Sequence, residues 1–195
     1  MHYNLTNLAI LFFCYSFLGW GIETSVASVK HKCYRNRGFL SGPFCLIYGF
    51  SGIVLSTFLY ELRSAPFFLF LGSAIISTFI EWMTGRLLEQ VRHKKWWDYS
   101  KMPFNINGRI CLLYSIFWGF LGLYLMISVN PKVDRLINYI KSKISTNILQ
   151  IFVVLCTIFM FVDCVSTAFA LSFFTIRTVK EKGIEVKNQA YIDEA

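Results

Sequence analysis

Charged residues are scarce in this chain, and their scarcity argues against a water-soluble fold. Asp, Glu, Lys and Arg make up 15% of the 195 residues, whereas hydrophobic residues make up 55% and the mean hydropathy is +0.52. A globular domain of this length cannot hide so much apolar surface. The apolar residues fall in runs of about 20, the length of a membrane-spanning helix. We therefore predict an all-α polytopic membrane protein with about five transmembrane helices.

The chain also lacks the signatures of common catalytic and metal sites. It contains no Walker A loop, no H-E-x-x-H and no G-x-S-x-G. Its three histidines are far apart, and its six cysteines include no C-x-x-C pair. We expect no metal and no cofactor, and a non-enzymatic role is favoured over catalysis. The net charge of +8 comes without a nucleic-acid-binding motif, so we expect no nucleic acid partner.

Five apolar segments are long enough to be membrane-spanning helices. They cover residues 5–29, 42–60, 66–91, 109–128 and 148–174. Pro131 is expected to end the fourth span. Beyond it, residues 132–145 alternate apolar and charged residues at helical spacing, which predicts an amphipathic helix lying in the outer interface or packing as a lid. The predicted organisation is a single transmembrane domain of residues 1–175 and a polar cytoplasmic tail of residues 176–195.

Basic residues are distributed unequally between the two sides of the predicted membrane domain. Fourteen Lys and Arg residues fall in segments 30–39, 86–109 and 175–195, against five on the other side. Loops rich in Lys and Arg stay in the cytoplasm. We therefore predict a multi-pass protein of the cell (plasma) membrane with its N-terminus outside and its C-terminus in the cytoplasm.

Residues recur in this chain at a fixed offset of 66 positions. Residues 42–48 read G-P-F-C-L-I-Y and residues 108–114 read G-R-I-C-L-L-Y. The same offset carries Glu23 onto Glu89, each four residues after a glycine, and nine of 47 compared positions are identical. We predict that the first four helices are a tandem duplication of a two-helix hairpin. The predicted units are residues 5–60 and 66–128, followed by the extra helix 148–174.

Acidic residues inside the predicted spans are candidates for function. A carboxylate in hydrocarbon costs about 2.5 kcal/mol or more, so each needs a partner or a role. Glu81 lies two turns deeper than Glu89 on one side of the third helix, and Arg86 is placed to pair with Glu89. Glu23 and Glu89 are functional acids or structural ion-pair partners. Asp163, in the fifth span, is a functional acid or a hydrogen-bonding anchor for its helix.

The two cytoplasmic connections are unusually polar. Both end in a glycine that opens a helix, where free N–H groups attract anions, and Arg37 and Arg109 are suited to phosphate or carboxylate. An aromatic belt with positive-inside charge is the alternative explanation, but it leaves Asp98 and Asn105 unexplained. Tyrosines one turn inside the second and fourth spans are core residues or hydrogen-bond partners of the glutamates. The candidate binding cluster is Glu23, Arg37, Tyr48, Glu81, Glu89, Asp98, Asn105, Arg109, Tyr114 and Asp163.

Several short motifs are typical of one membrane-protein family. They are F-L-G-W-G-I-E at 17–23, N-R-G-F-L at 36–40, W-W-D-Y-S at 96–100 and G-R-I-C-L at 108–112. Over residues 5–128 the chain resembles the bacterial ABC-transporter permease family of CmpB type, "putative ABC-transporter type IV". The resemblance implies an integral membrane protein of permease type, and it carries over no catalytic residue. Cys45 stands where the family pattern leads us to expect proline, which implies a softer hinge there.

Transport is the leading functional hypothesis from the sequence. The chain would be a permease-like subunit that depends on a separate ATPase or another partner in the lipid bilayer, with an unknown substrate. A homo-oligomer is expected because four helices enclose little space. The alternative is a membrane-embedded enzyme or lipid-handling protein that binds phosphate head groups at the cytoplasmic face. A non-catalytic assembly factor is the third hypothesis.

Overall fold

The structure, a computed structural model, describes residues 3–36, 40–92 and 95–193, and the elements in this part of the chain are helices apart from one small strand pair. The predicted all-α fold is confirmed. In chain order the elements are α1 (Leu5–His31), α2 (Leu46–Phe58), a 3₁₀ helix η1 (Tyr60–Ser64), α3 (Pro66–Arg92), β1 (Asn105–Ile106), β2 (Ile110–Cys111), α4 (Leu112–Tyr124), a π-helical segment (Leu125–Val129), α5 (Asn130–Lys143) and α6 (Thr146–Asp193).

Four of the helical stretches are long and apolar enough to cross a membrane. They are Leu5–His31, Pro66–Gln90, Leu112–Lys143 and Thr146–Ala170. Helix α2 is apolar too, but its 13 residues span about 20 Å, less than the hydrocarbon core of about 30 Å. The predicted span 42–60 is therefore longer than the observed helix, which covers Leu46–Phe58. The reason is that the N–H groups of Ser41 and Gly42 bond to a distant carboxylate, so the chain there is not helical.

The first four helices form two antiparallel hairpins, α1 with α2 and α3 with α4. Glycines allow the close approach within each hairpin. A Cβ added to Gly49 would overlap the hydroxyl of Ser16, and one added to Gly122 would overlap Ser73. Contacts of this kind are typical of helix pairs in membranes, where small residues bring the backbones together. The two hairpins are those predicted, whereas their origin by duplication stays a prediction.

The observed helix differs at both ends from the fourth predicted span, 109–128. It begins at Leu112, because residues 110–111 belong to β2, and it continues through the π-helical segment and α5 to Lys143. The prediction that Pro131 ends the helix is wrong. Pro131 lies in the first turn of α5, directly after the π-helical segment, where a missing N–H costs little.

The amphipathic helix predicted at 132–145 corresponds to α5. Its Val133 and Ile137 are buried in one apolar cluster with Leu11 and Tyr15 of α1. Of the two predicted placements, packing on the other helices is the one observed. A second apolar cluster, between the hairpins, contains Leu55, Leu59, Leu69 and Met126.

Over residues 146–170, helix α6 presents most of its apolar side chains outward. Phe152, Leu155 and Phe159 are each more than half exposed, and so are apolar residues on the outer faces of α1 and α3. Exposed apolar surface of this extent is unfavourable in water and favourable in lipid. The exposed surface therefore supports the assignment as a membrane protein.

Candidate functional site

Glu81 is the most buried of the predicted acids. Its side chain lies on α3, and the residue is 4% exposed. The two carboxylate oxygens accept hydrogen bonds from Tyr99 Oη and Trp118 Nε1, each at 3.0 Å. Both donors are neutral, and among the described residues no Lys or Arg forms an ion pair with Glu81. The carboxylate is therefore stabilised by hydrogen-bond dipoles and not by a counter-charge.

Glu23 lies on the other hairpin and connects to Glu81 through two aromatic side chains. Tyr48 Oη donates to Glu23 Oε1 at 2.7 Å. The Tyr48 ring meets the Trp118 ring edge-on, with 6.2 Å between centroids, and Trp118 in turn donates to Glu81. We call Glu23, Tyr48, Glu81, Tyr99 and Trp118 the central polar array. It runs from α1 and α2 to α3, α4 and the connection between α3 and α4, which we call the second loop; the connection between α1 and α2 is the first loop.

The second loop folds back to reach Glu81. Tyr99 stacks on Tyr114 of α4, with ring centroids 4.6 Å apart and the rings 16° from parallel. Burial and the neighbouring Glu81 carboxylate raise the pKa of Tyr99, so its hydroxyl stays a donor at neutral pH. Tyr114 therefore contacts the central polar array through its ring, and its phenol makes no hydrogen bond to Glu89 among the described residues.

Asn105 and Asp98 shape the second loop. Asn105 Nδ2 donates to the Met102 carbonyl at 2.8 Å, and its Oδ1 accepts from Gly108 N at 3.0 Å. Asp98 Oδ1 accepts from the Ser100 hydroxyl and amide and from Lys95 Nζ. These bonds, those of Ser100 first, lower the pKa of Asp98 from 3.8 to about 2. The stabilisation is present above pH 3.8 and is lost as the pH falls towards 2.

Glu89 is paired with Arg109, and not with Arg86 as its sequence neighbour suggested. Arg109 Nη2 and Nε lie 2.7 and 2.8 Å from Glu89 Oε2. The pair lines an open pocket of about 480 Å³ at the end of α3, together with Trp82, Arg86, Gln90 and Asn107. Glu89 does not pair with Arg86 because the turn between β1 and β2 brings Arg109 to the same carboxylate.

Asp163 binds the first loop to α6. Its carboxylate accepts the Ser41 N–H at 3.2 Å and the Gly42 N–H at 2.8 Å. A Cβ at Gly42 would lie only 3.0 Å from Asp163 Oδ2, so glycine allows this approach. These contacts are those of a hydrogen-bonding anchor. Arg37, the remaining candidate, lies outside the described residues.

Trp118 and a second polar network have no counterpart among the sequence predictions. The sequence signal for Trp118 is its indole N–H, which needs a hydrogen-bond partner in an apolar span. The network lies at the opposite end of the helices, centred on the fully buried Asn130. Asn130 Oδ1 accepts from Tyr15 and from Ser56, and its Nδ2 donates to Tyr3 Oη. These partners come from α1, α2 and the segment before α1, so no local pattern marks Asn130.

The comparisons with known proteins give one match. Neither the curated proteins nor the solved structures contain a match to this chain. The family described as "Putative ABC-transporter type IV" matches residues 10–168, which include the central polar array, the pocket and Asp163. That range covers most of the chain, and the helices within it are those of a multi-pass membrane protein. The chain belongs to the CmpB-type family, "putative ABC-transporter type IV".

Proposed function

We propose that this chain is the membrane-spanning subunit of a transporter and that a separate ATPase supplies the energy. The observation that carries the proposal is the family match over residues 10–168. Four long apolar helices suit a transport component, and the sequence contains no Walker A loop with which to bind ATP itself. An ATP-driven cycle would therefore use an ATP-binding site outside these residues, and we assign it to a separate subunit.

The central polar array is the proposed substrate or ion site. An acid this deep in a spanning helix is costly, and such acids commonly mark transport pathways. Glu81 is linked to Glu23 across the two hairpins, so a movement of one hairpin against the other would change its surroundings. The array is therefore suited to two alternative states. We place the loops 32–45 and 93–111 on the cytoplasmic side, because the basic residues accumulate there.

Co-purification tests the proposed partner. The tagged chain is cross-linked in its native membranes, extracted in mild detergent and analysed by quantitative mass spectrometry. We expect an ATPase subunit at near-stoichiometric amounts, relative to an unrelated tagged membrane protein expressed at the same level. Native mass spectrometry of the same sample reports whether the chain forms a homo-oligomer. Intact protein without an enriched ATPase would contradict the proposal.

Glu81→Gln tests the proposed site. The substitution keeps the size and one acceptor oxygen but removes the charge, so we expect insertion and ATPase association to persist while complementation of a strain lacking the gene is lost. Asp163→Asn is the comparison. Asp163 on α6 anchors the first loop, so its substitution should affect stability more than transport. If Glu81→Gln simply fails to fold, the acid is structural and the array is not the site.

A membrane-embedded enzyme or lipid-handling protein is the second candidate, and the open pocket at the end of α3 favours it. Under this alternative the purified chain alone would alter a phosphate-bearing lipid. Incubation with mixed phospholipids, followed by lipid mass spectrometry, separates the two candidates. Lipid turnover without an ATPase would favour the alternative.

A further inference from the structure

The pocket at the end of α3 has an uncompensated positive charge. Arg109 is neutralised by Glu89, with nitrogen–oxygen distances of 2.7 and 2.8 Å. Arg86 is exposed, and no described acidic residue pairs with it. Two arginines against one glutamate leave a formal charge of +1 at the lining. Gln90 and Asn107 line the same space and add amide donors.

The position of Arg86 along α3 places it beside lipid head groups. Helix α3 begins at Pro66, and Arg86 follows 20 residues later. At 1.5 Å per residue this separation is about 30 Å, the thickness of the hydrocarbon core. When the apolar start of α3 lies at one membrane surface, Arg86 lies at the other. Trp82, one turn deeper, faces the same pocket, and the Arg86 guanidinium lies 5.6 Å from its ring centroid.

The strand pair beside the pocket exposes apolar side chains. Phe104 is 80% exposed and Ile106 is 56% exposed, although the neighbouring Asn105 and Asn107 are polar. In water two such side chains on one turn would be unfavourable, whereas at the membrane surface they can enter the acyl region. The pocket therefore combines a cation and amide donors, and the loop that contributes Asn107 to it also exposes two apolar side chains. That combination matches an amphiphile with an anionic head.

We propose that this pocket binds the phosphate head group of an anionic phospholipid. Arg86 makes the charge-assisted contact with the phosphate, Gln90 and Asn107 supply hydrogen bonds, and Phe104 and Ile106 lie along the acyl chains. The Glu89–Arg109 pair forms part of the pocket wall. Because Glu89 neutralises Arg109, the lining keeps a net charge of +1, which favours a single phosphate. The site is independent of the transport proposal, because it uses none of the central polar array.

Native mass spectrometry with defined lipids tests this site on the full chain. The protein in mild detergent is titrated with phosphatidylglycerol or with phosphatidylcholine. We expect phosphatidylglycerol to be retained in preference, and Arg86→Gln to weaken that binding about tenfold, the loss of one charge-assisted hydrogen bond. Arg86→Lys keeps the charge and should restore part of it. Arg135→Gln is the matched control, since Arg135 is exposed on α5 without an ion pair among the described residues.

Three results would overturn the proposal. Equal weakening by Arg86→Gln and Arg135→Gln would show general charge attraction, and unchanged binding in Arg86→Gln would place the lipid elsewhere. Binding of inorganic phosphate as tight as that of phosphatidylglycerol would show that the pocket takes a free anion and gains nothing from the acyl chains. An unchanged melting temperature for each variant ensures that lost binding reflects the site and not unfolding.

Discussion

At the scale of single residues, the three glutamates differ in the chemistry of their partners. Glu81 accepts from a phenol and an indole, Glu23 accepts from the Tyr48 phenol, and Glu89 pairs with the Arg109 guanidinium. An ion pair suits the head-group region, where both charges stay partly hydrated. Neutral donors suit a deeper acid, because they stabilise it without burying a second charge. Glu81, the most buried of the three, follows this pattern, since both of its hydrogen-bond donors are neutral.

Gly19 controls how closely α1 and α2 approach. A Cβ at Gly19 would overlap the Tyr48 ring, whereas a Cβ at Gly21 meets nothing within 4 Å. We expect Gly19→Ala to destabilise the protein by about 1–3 kcal/mol, because it overpacks the contact and displaces the Tyr48 hydroxyl from Glu23. Gly21→Ala should be neutral or stabilising by up to about 1 kcal/mol.

Thermal unfolding of both variants in the same detergent compares the two positions. A lower melting temperature for Gly19→Ala alone is the expected result. Equal shifts for the two variants would mean that the hairpin tolerates a wider separation and that Tyr48 is not held by this contact.

Part of the site was predictable from the sequence at this scale. Tyr48 and Glu23 were expected at the same depth, since depth follows from counting residues along each span, and they are hydrogen-bonded. The Arg86–Glu89 pairing is wrong because spacing along a helix cannot show that Arg109 reaches Glu89 from the turn before β2. The partner of Glu89 is set by a tertiary contact and not by spacing along the helix.

At the scale of elements, the second loop is a folded unit. Its backbone turns at Asn107 and Gly108, both with positive φ, and the Tyr99 N–H donates to the Gly108 carbonyl at 2.8 Å. Trp97 Nε1 donates to the Arg109 carbonyl and packs near Gly85 of α3. The sequence indicated that this loop is more than a charged connection. It gave no indication of the strand pair, because strands of two residues are too short for a recognisable pattern.

Asn105→Ala tests how strongly this loop is held. The substitution removes the bonds to Met102 and Gly108, each worth about 1 kcal/mol, so we expect faster amide exchange across residues 95–111. Asn138→Ala is the matched control, because Asn138 is exposed on α5. Hydrogen exchange with mass spectrometry measures both. If exchange in the loop is unchanged, the fold of the loop rests on Tyr99 and Trp97 instead.

At the scale of the whole molecule, composition predicted the class and most of the helices. Apolar runs must form helices in lipid, so the four long spans and the two hairpins followed from length and order. The ends of α2 and α4 did not follow. The start of α2 follows a loop that is held by the distant Asp163, and the start of α4 follows the short strand pair.

Thiol labelling tests the predicted orientation. Cys33 is exposed in the first loop, two residues after the end of α1. We expect a membrane-impermeant maleimide to reach it only after the membrane is permeabilised. Lys143→Cys, at the exposed end of α5, should react in intact cells. Each thiol is tested alone, with the other cysteines replaced by serine. The opposite labelling pattern would invert the topology and move the lipid pocket to the outer face.

The bond between Asp163 and the first loop has a consequence for the order of events during synthesis. The Gly42 amide and its carboxylate partner are 121 residues apart. At roughly 5–20 residues per second, the ribosome needs about 6–24 seconds to deliver that partner. Until then the turn between the first two helices lacks the contact that fixes it in the finished protein. The hydrogen bonds that hold this turn can therefore form only after the part of α6 that contains Asp163 has been synthesised.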